Sequence, residues 1–141
     1  MLLNPDNLKF KMNAGIWAAE LKLPHHLLSV IDDTLELEID GNHSAPDPEC
    51  LALAEDIVEH IVTSASSIHH FVVSNSSKHC AICSSGNWPR EAWTLQWIEF
   101  HAGHPPQSFL LNDLDRYILF HVTLSKVEGI WVPSKFDHSF W

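Results

Sequence analysis

Positive charge is what the middle of this chain lacks. Between Lys22 and Lys78 there is no lysine or arginine, while Asp32, Asp33, Glu36, Glu38, Asp40, Asp47, Glu49, Glu55, Asp56 and Glu59 place ten acidic side chains there. The other eight acids are matched by the eight basic residues, so the formal net charge of -10 resides in this one internal segment. Direct nucleic-acid binding is disfavoured, because a phosphate backbone needs Lys and Arg and is repelled by carboxylates. Ordinary solvated faces mix both signs, so a one-sign stretch points instead to a positively charged partner.

Other scarcities narrow the class further. Only five glycines occur, and none builds a phosphate-cradling pattern. Uninterrupted apolar stretches are a few residues long, far below the roughly 20 needed to cross a bilayer. The opening Met-Leu-Leu-Asn-Pro-Asp has no basic, apolar or cleavage region of a secretory signal. Three cysteines form an odd set that fits a reduced compartment better than a disulfide framework. Cytoplasmic residence is the expectation.

What is present suits one globular domain. At 141 residues the chain can bury a sizeable core without metal or disulfide, and 45% hydrophobic residues with six Trp and seven Phe supply it. Residues 15 to 23 alternate as a half-buried strand with Trp17, Ala19, Leu21 and Leu23 on one face. Residues 34 to 40 give the cleanest period-2 pattern, with Leu35, Leu37 and Ile39 inward and Glu36, Glu38 and Asp40 outward. Asp47 is a natural N-cap, with Pro48 at the first helical position and Glu49 in the first turn. Leu51, Ala54, Ile57, Val58, Ile61 and Val62 then recur at helical spacing, which predicts one amphipathic helix from 48 to about 66 or as far as Phe71. Residues 74 to 90 read as a loop or a small subdomain. Strand-like aromatic runs follow at 93 to 101 and 117 to 124, with a helical turn between Leu110 and Tyr117 and a short last strand at 129 to 132. The expected architecture is a two-layer α+β domain spanning 1 to 141, a mainly antiparallel sheet with one long helix packed on it.

Chemistry-bearing motifs are few. Cys80-Ala-Ile-Cys83 and His101-Ala-Gly-His104 have the ligand types of a tetrahedral zinc site, but the spacer exceeds that of the usual finger and the histidines flank a glycine instead of riding a helix. The bland alternative makes them loop, core and surface residues. A redox dithiol at Cys80 and Cys83 would need a following helix, which Ser84-Ser85-Gly86-Asn87 does not resemble. His79 and Cys80 are sequence neighbours and make a poor nucleophile pair, and no oxyanion motif is present. No catalytic residue is therefore expected, and no cofactor beyond the zinc alternative. Eleven histidines against eight basic residues make the net charge sensitive to mild acid.

The strand from Leu35 to Asp40, the cap at Pro46 and Pro48, the helix from Glu49 and the aromatic C-terminal strands running to Trp131 and Trp141 together resemble the small single-domain immunity proteins of bacterial polymorphic and contact-dependent toxin systems. The resemblance implies an acidic, cytoplasmic, non-enzymatic protein that occludes the active site of a cognate toxin. On that expectation the ten acids from Asp32 to Glu59 bind a basic toxin effector, a nuclease or other nucleic-acid-directed enzyme, with Trp88, Trp93, Trp131 and Trp141 as candidate aromatic anchors. A DNA-mimicking inhibitor of a restriction or CRISPR nuclease shares the charge argument and differs in its target. The third possibility is the small zinc-binding domain.

Overall fold

The computed structural model describes residues 3–22, 31–79, 93–112 and 118–140, with side chains undescribed at 5, 31–33, 76–79, 93, 112 and 140. After a 3-10 turn at Pro5–Asn7, the elements are β1 (Lys9–Lys11), β2 (Ile16–Lys22), β3 (Ile31–Asp40), α1 (Pro48–Glu59), α2 (Ile61–His79), β4 (Trp93–Phe100), β5 (Gln107–Asn112), β6 (Ile118–Val127) and β7 (Ile130–Phe140). The strands form one seven-stranded sheet in chain order from β1 to β7. Every neighbouring pair is antiparallel except β3 with β4, which is parallel because the two helices form the crossover between them.

The α+β class holds, but the single long helix does not. The apolar pattern runs on through Ala54, Ile57, Val58, Ile61, Ala65, Ile68 and Val72, all buried, yet the chain turns at His60, whose backbone leaves helical geometry at φ -112° and ψ 22°. The His60 Nδ1 lies 2.9 Å from the Asp56 carbonyl oxygen, while its backbone N–H donates to Ile57. A side chain thus takes the acceptor that an uninterrupted helix would give to the backbone. The sheet also has more strands than the sequence suggested and, though mainly antiparallel as expected, is mixed through its one parallel pair. Its last strand continues through Pro133 to Phe140, and Leu110–Asn112, expected in a helical turn, belongs to β5. Residues 80–92, with Cys80, Cys83 and Trp88, lie outside the described residues, as does Trp141.

Both helices cover the same side of the sheet, α1 over β3 and β4, α2 over β4, β6 and β7. The main core fills that interface with Leu35, Leu37, Ile39, Leu95, Ile98 and Phe120 against the helices' apolar sides. No described helix covers the opposite face, where a second small cluster of Phe109, Leu111 and Leu119 packs with Trp97. Among the described residues no helix is long and apolar enough to cross a membrane.

Candidate functional site

The period-2 rule decides which side chains meet on the helix-free face. With Leu35, Leu37 and Ile39 committed to the core, Glu36, Glu38 and Asp40 must point the other way. Register then brings acids from outside the charged segment beside them, because Glu20 on β2 pairs with Glu36 and Glu99 on β4 pairs with Glu38. Trp97, two residues before Glu99, pairs with Glu36 on one side and Phe109 on the other.

A hydrogen-bonded chain orders this face. The His101 ring has Nδ1 2.8 Å from Asp40 Oδ1 and Nε2 2.8 Å from Glu99 Oε1. Ionised carboxylates only accept, so the protonated ring, in which both nitrogens donate, is the form that satisfies both contacts. Glu99 also accepts from Trp97 Nε1 at 2.8 Å, and Asp40 from the Ala102 amide at 2.9 Å. The hydrogen bond to Glu99, and then the one to Asp40, raise the His101 pKa against the opposing effect of burial. For Asp40 burial works toward a higher value, but the Ala102 amide and His101 together outweigh it and hold the carboxyl below its usual range. Asp40 also lines two clefts at the carboxyl ends of the parallel strands. One of about 640 Å³ is lined by Asp40, Asn42 and Asp47, and one of about 460 Å³ by Asp40, Glu99, His101 and His104.

Glu38 is the exception in this network. No hydrogen bond or ion pair satisfies its carboxylate among the described residues, and burial, followed by the charges of Glu36 and Glu99, pushes its pKa up. Countercharge arrives from outside the lysine-free segment at Glu36, where Lys11 Nζ lies 2.9 Å from Oε1. Lys9 and Lys22 occupy the same face nearer the β1 edge.

The ten acids named from the sequence therefore do not form one surface. Glu36, Glu38 and Asp40 share the helix-free face; Asp47 caps α1 at the end of β3, its Oδ1 accepting from the Cys50 amide at 3.0 Å. Glu49 and Glu59 are exposed, and Glu55 half-buried, on α1 in the other layer. Asp56 is already paired, accepting from Lys126 Nζ at 2.7 Å and Trp131 Nε1 at 2.8 Å. Those two partners, Lys126 first, hold its carboxyl below the usual range. The side chains of Asp32 and Asp33 are outside the described residues. Trp131, expected to be an exposed anchor, is only 5% exposed and belongs to the core; its indole N–H finds its acceptor in Asp56.

Sequence reasoning missed Glu20, Trp97, Glu99 and, as a bridging group, His101. The period-2 alternation of Trp97, Glu99 and His101 was the available signal, lying outside the lysine-free stretch. For the zinc alternative, Cys80 and Cys83 lie outside the described residues, and both His101 nitrogens lie within hydrogen-bond distance of carboxylates, Asp40 and Glu99. Among the described residues no group of His, Cys, Asp and Glu is arranged to hold a metal ion. Cys50 is buried, and burial followed by Asp47 pushes its thiol up to about 12, so it is not a reactive thiolate. Comparison with known proteins finds no matching family model, no similar curated protein and no similar solved structure.

Proposed function

We propose that this chain is a non-enzymatic protein inhibitor of the immunity type, which docks a basic toxin effector on its helix-free sheet face and covers the effector's active site. The observation that carries the reading is the convergence on that face of Glu20, Glu36, Glu38 and Glu99 from three strands, beside Trp97 and Phe109, with Glu38 making no ion pair among the described residues. Carboxylates next to an aromatic surface suit a protein partner: the charges steer encounter and the rings supply apolar contact. The α1 acids Glu49, Glu55 and Glu59 add to the long-range field from the other layer without joining the contact surface.

The test is capture of the partner from the source cell with the tagged chain, its identification by mass spectrometry, and stopped-flow association at salt concentrations from about 50 to 300 mM, a range over which Debye screening changes strongly. A basic secreted effector whose association slows about tenfold or more in the Glu38→Lys, Glu99→Lys double variant fits the reading, as electrostatic steering changes on-rates by that order. Association that is insensitive to salt and to both substitutions overturns it. Capture of a restriction or CRISPR nuclease complex instead selects the DNA-mimic alternative.

A further inference from the structure

The last strand of the sheet ends it with an edge of unusual composition. β7 runs for 11 residues, and among the described residues no strand pairs with its outer side. Such an edge offers a row of backbone donors and acceptors to another strand. Pro133 lacks a donor and Ser134 is the extra residue at the β6–β7 irregularity, but Lys135 to Ser139 pair with β6 in unbroken register. Period two then sorts the side chains of that regular stretch. Phe136 faces the helices, its ring centroid 4.8 Å from that of Phe120 and 6.3 Å from that of Phe71 on α2. Lys135 and Asp137, on either side of it, project from the helix-free face and are both exposed. The Asp137 Oδ1 accepts from the His138 amide at 2.8 Å, and neither Lys135 nor Asp137 makes an ion pair among the described residues.

We propose that β7 pairs antiparallel with β7 of a second copy of this chain, about a twofold axis that passes through Phe136 perpendicular to the sheet. The sequence around that axis complements itself. Lys135 of each copy stands directly opposite Asp137 of the other, so the twofold makes two opposite-charge cross-strand pairs on the helix-free face, while the two Phe136 rings meet on the helix side. Moving the axis to Lys135 or to Asp137 sets like charges directly opposite, and moving it further separates the pairs, so charge selects this register. The wider field agrees. Each copy carries a net charge of -10 that resides in the segment from 23 to 77, which repels a second copy. Residues 118 to 140, by contrast, hold two bases, Lys126 and Lys135, and two acids, Glu128 and Asp137, which cancel. The helix packed on β7, α2, has no Asp, Glu, Lys or Arg before Lys78. Two copies therefore approach with least repulsion at this edge. The carboxylates of the proposed effector-binding face stand on β2, β3 and β4, so pairing through β7 leaves them open and stands independently of that reading.

Sedimentation equilibrium of the whole protein, from about 1 μM to about 1 mM, tests this. The expected result is a mass that rises with concentration from the 16.0 kDa of one chain toward twice that value. Lys135→Glu and Asp137→Lys, each at an exposed position, are each expected to weaken association about tenfold, because the twofold installs every like-charge contact twice. The double variant Lys135→Glu, Asp137→Lys re-forms both pairs with the signs exchanged and is expected to recover the parental dissociation constant within about twofold. That recovery also shows that the single variants lost a contact and not their fold. A mass that stays at one chain throughout the range overturns the proposal. So does a dimer that ignores the single substitutions or that the double variant fails to restore, since the two copies then meet at some other surface.

Discussion

His101 and Asp40 stand 61 residues apart in sequence and 2.8 Å apart in space, joining the carboxyl ends of the two parallel strands across the whole helical crossover. That link titrates. The His101 pKa is raised from 6.5, so its stabilising effect is complete below about 6.5, the unfolded value, and is lost as pH rises through the higher folded value. Asp40 has the opposite sign: its pKa is lowered from 3.8, so its effect is present above that value and is lost as pH falls through the lower folded one. Urea unfolding between about pH 6 and pH 9 is expected to show a loss of stability on the alkaline side that His101→Gln abolishes. At pH 6 the variant itself costs about 1 kcal/mol, a small effect because the imidazole is 40% exposed. An unchanged alkaline slope in the variant would assign the titration to another group.

Glu38 carries the reverse penalty. Its pKa is raised by burial and by Glu36 and Glu99, so relative to the unfolded chain it favours folding below its ordinary value of 4.5 and weakens folding as pH rises above that. Glu38→Gln is therefore expected to match the parent near pH 4 and to exceed it at pH 7 by less than about 1 kcal/mol, given the screening of a partly exposed group. Chemical denaturation at the two pH values checks this. A variant less stable than the parent at pH 7 contradicts the account of Glu38 as an unsatisfied carboxylate.

Asp56 ties the β6–β7 hairpin to α1 through Lys126 and Trp131. Asp56→Ala leaves the indole N–H of a Trp only 5% exposed without its acceptor, at a cost of about 1 to 2 kcal/mol. Asp56→Asn keeps an acceptor for Trp131 and loses only the charge on Lys126, whose side chain is 46% exposed, so it should cost less than half as much. Equal losses in thermal or urea unfolding would show that the ion pair, and not the indole hydrogen bond, holds the hairpin.

How legible these features were in the sequence depends on whether the signal was local. The alternation of Leu35, Leu37 and Ile39 with Glu36, Glu38 and Asp40 fixes β3 and its two faces, and the Asp47-Pro48-Glu49 start of α1 is as its capping chemistry requires. The helix break at His60 was not legible, since no Pro or Gly marks it and the apolar pattern continues across; at the break the His60 ring lies 2.9 Å from the Asp56 carbonyl oxygen that the backbone N–H of a continuous helix would use. Pro133 looked like the end of the last strand but is accommodated at a register irregularity on an edge strand, where a missing backbone donor is tolerated. The site was half visible. Its β3 carboxylates stand in the lysine-free stretch, whereas Glu20, Trp97, Glu99 and His101 join them only through strand pairing, and parallel β3–β4 pairing across two helices is a long-range fact that local periodicity does not encode.

Gly41 closes β3 where the chain turns toward the α1 cap, and the backbone crowds it. A Cβ there would lie 2.6 Å from the Ala45 carbonyl oxygen and 2.7 Å from the Pro46 Cα, both backbone atoms, and 2.8 Å from the Trp17 ring. Because backbone cannot move aside as a flexible side chain does, Gly41→Ala is expected to destabilise by about 1 to 3 kcal/mol through overpacking. Its damage should concentrate at the Asp47 cap and at Trp17, whose Nε1 donates to the Asn42 carbonyl at 2.8 Å. Faster amide exchange at Cys50, whose N–H rests on Asp47, would mark that local loss. A Gly41→Ala protein with parental stability and parental exchange at Cys50 would mean the turn relaxes freely.

The β6–β7 turn offers a gain instead of a loss. Glu128 and Gly129 sit at φ 52° and 80°, both positive as a type I′ hairpin turn requires. Glycine adopts that region at no steric cost, but for glutamate it is strained by roughly 1 kcal/mol. Asparagine tolerates it well and makes Asn-Gly, the favoured pair for this turn. Glu128→Asn is therefore expected to stabilise the protein by about 0.5 to 1 kcal/mol, measured by urea unfolding at neutral pH. The substitution also removes one exposed negative charge, so Glu128→Gln is the control that removes the charge and leaves the strain. If the two variants gain equally, charge relief explains the effect; a gain confined to asparagine assigns it to the backbone, because only that substitution changes how readily residue 128 reaches positive φ.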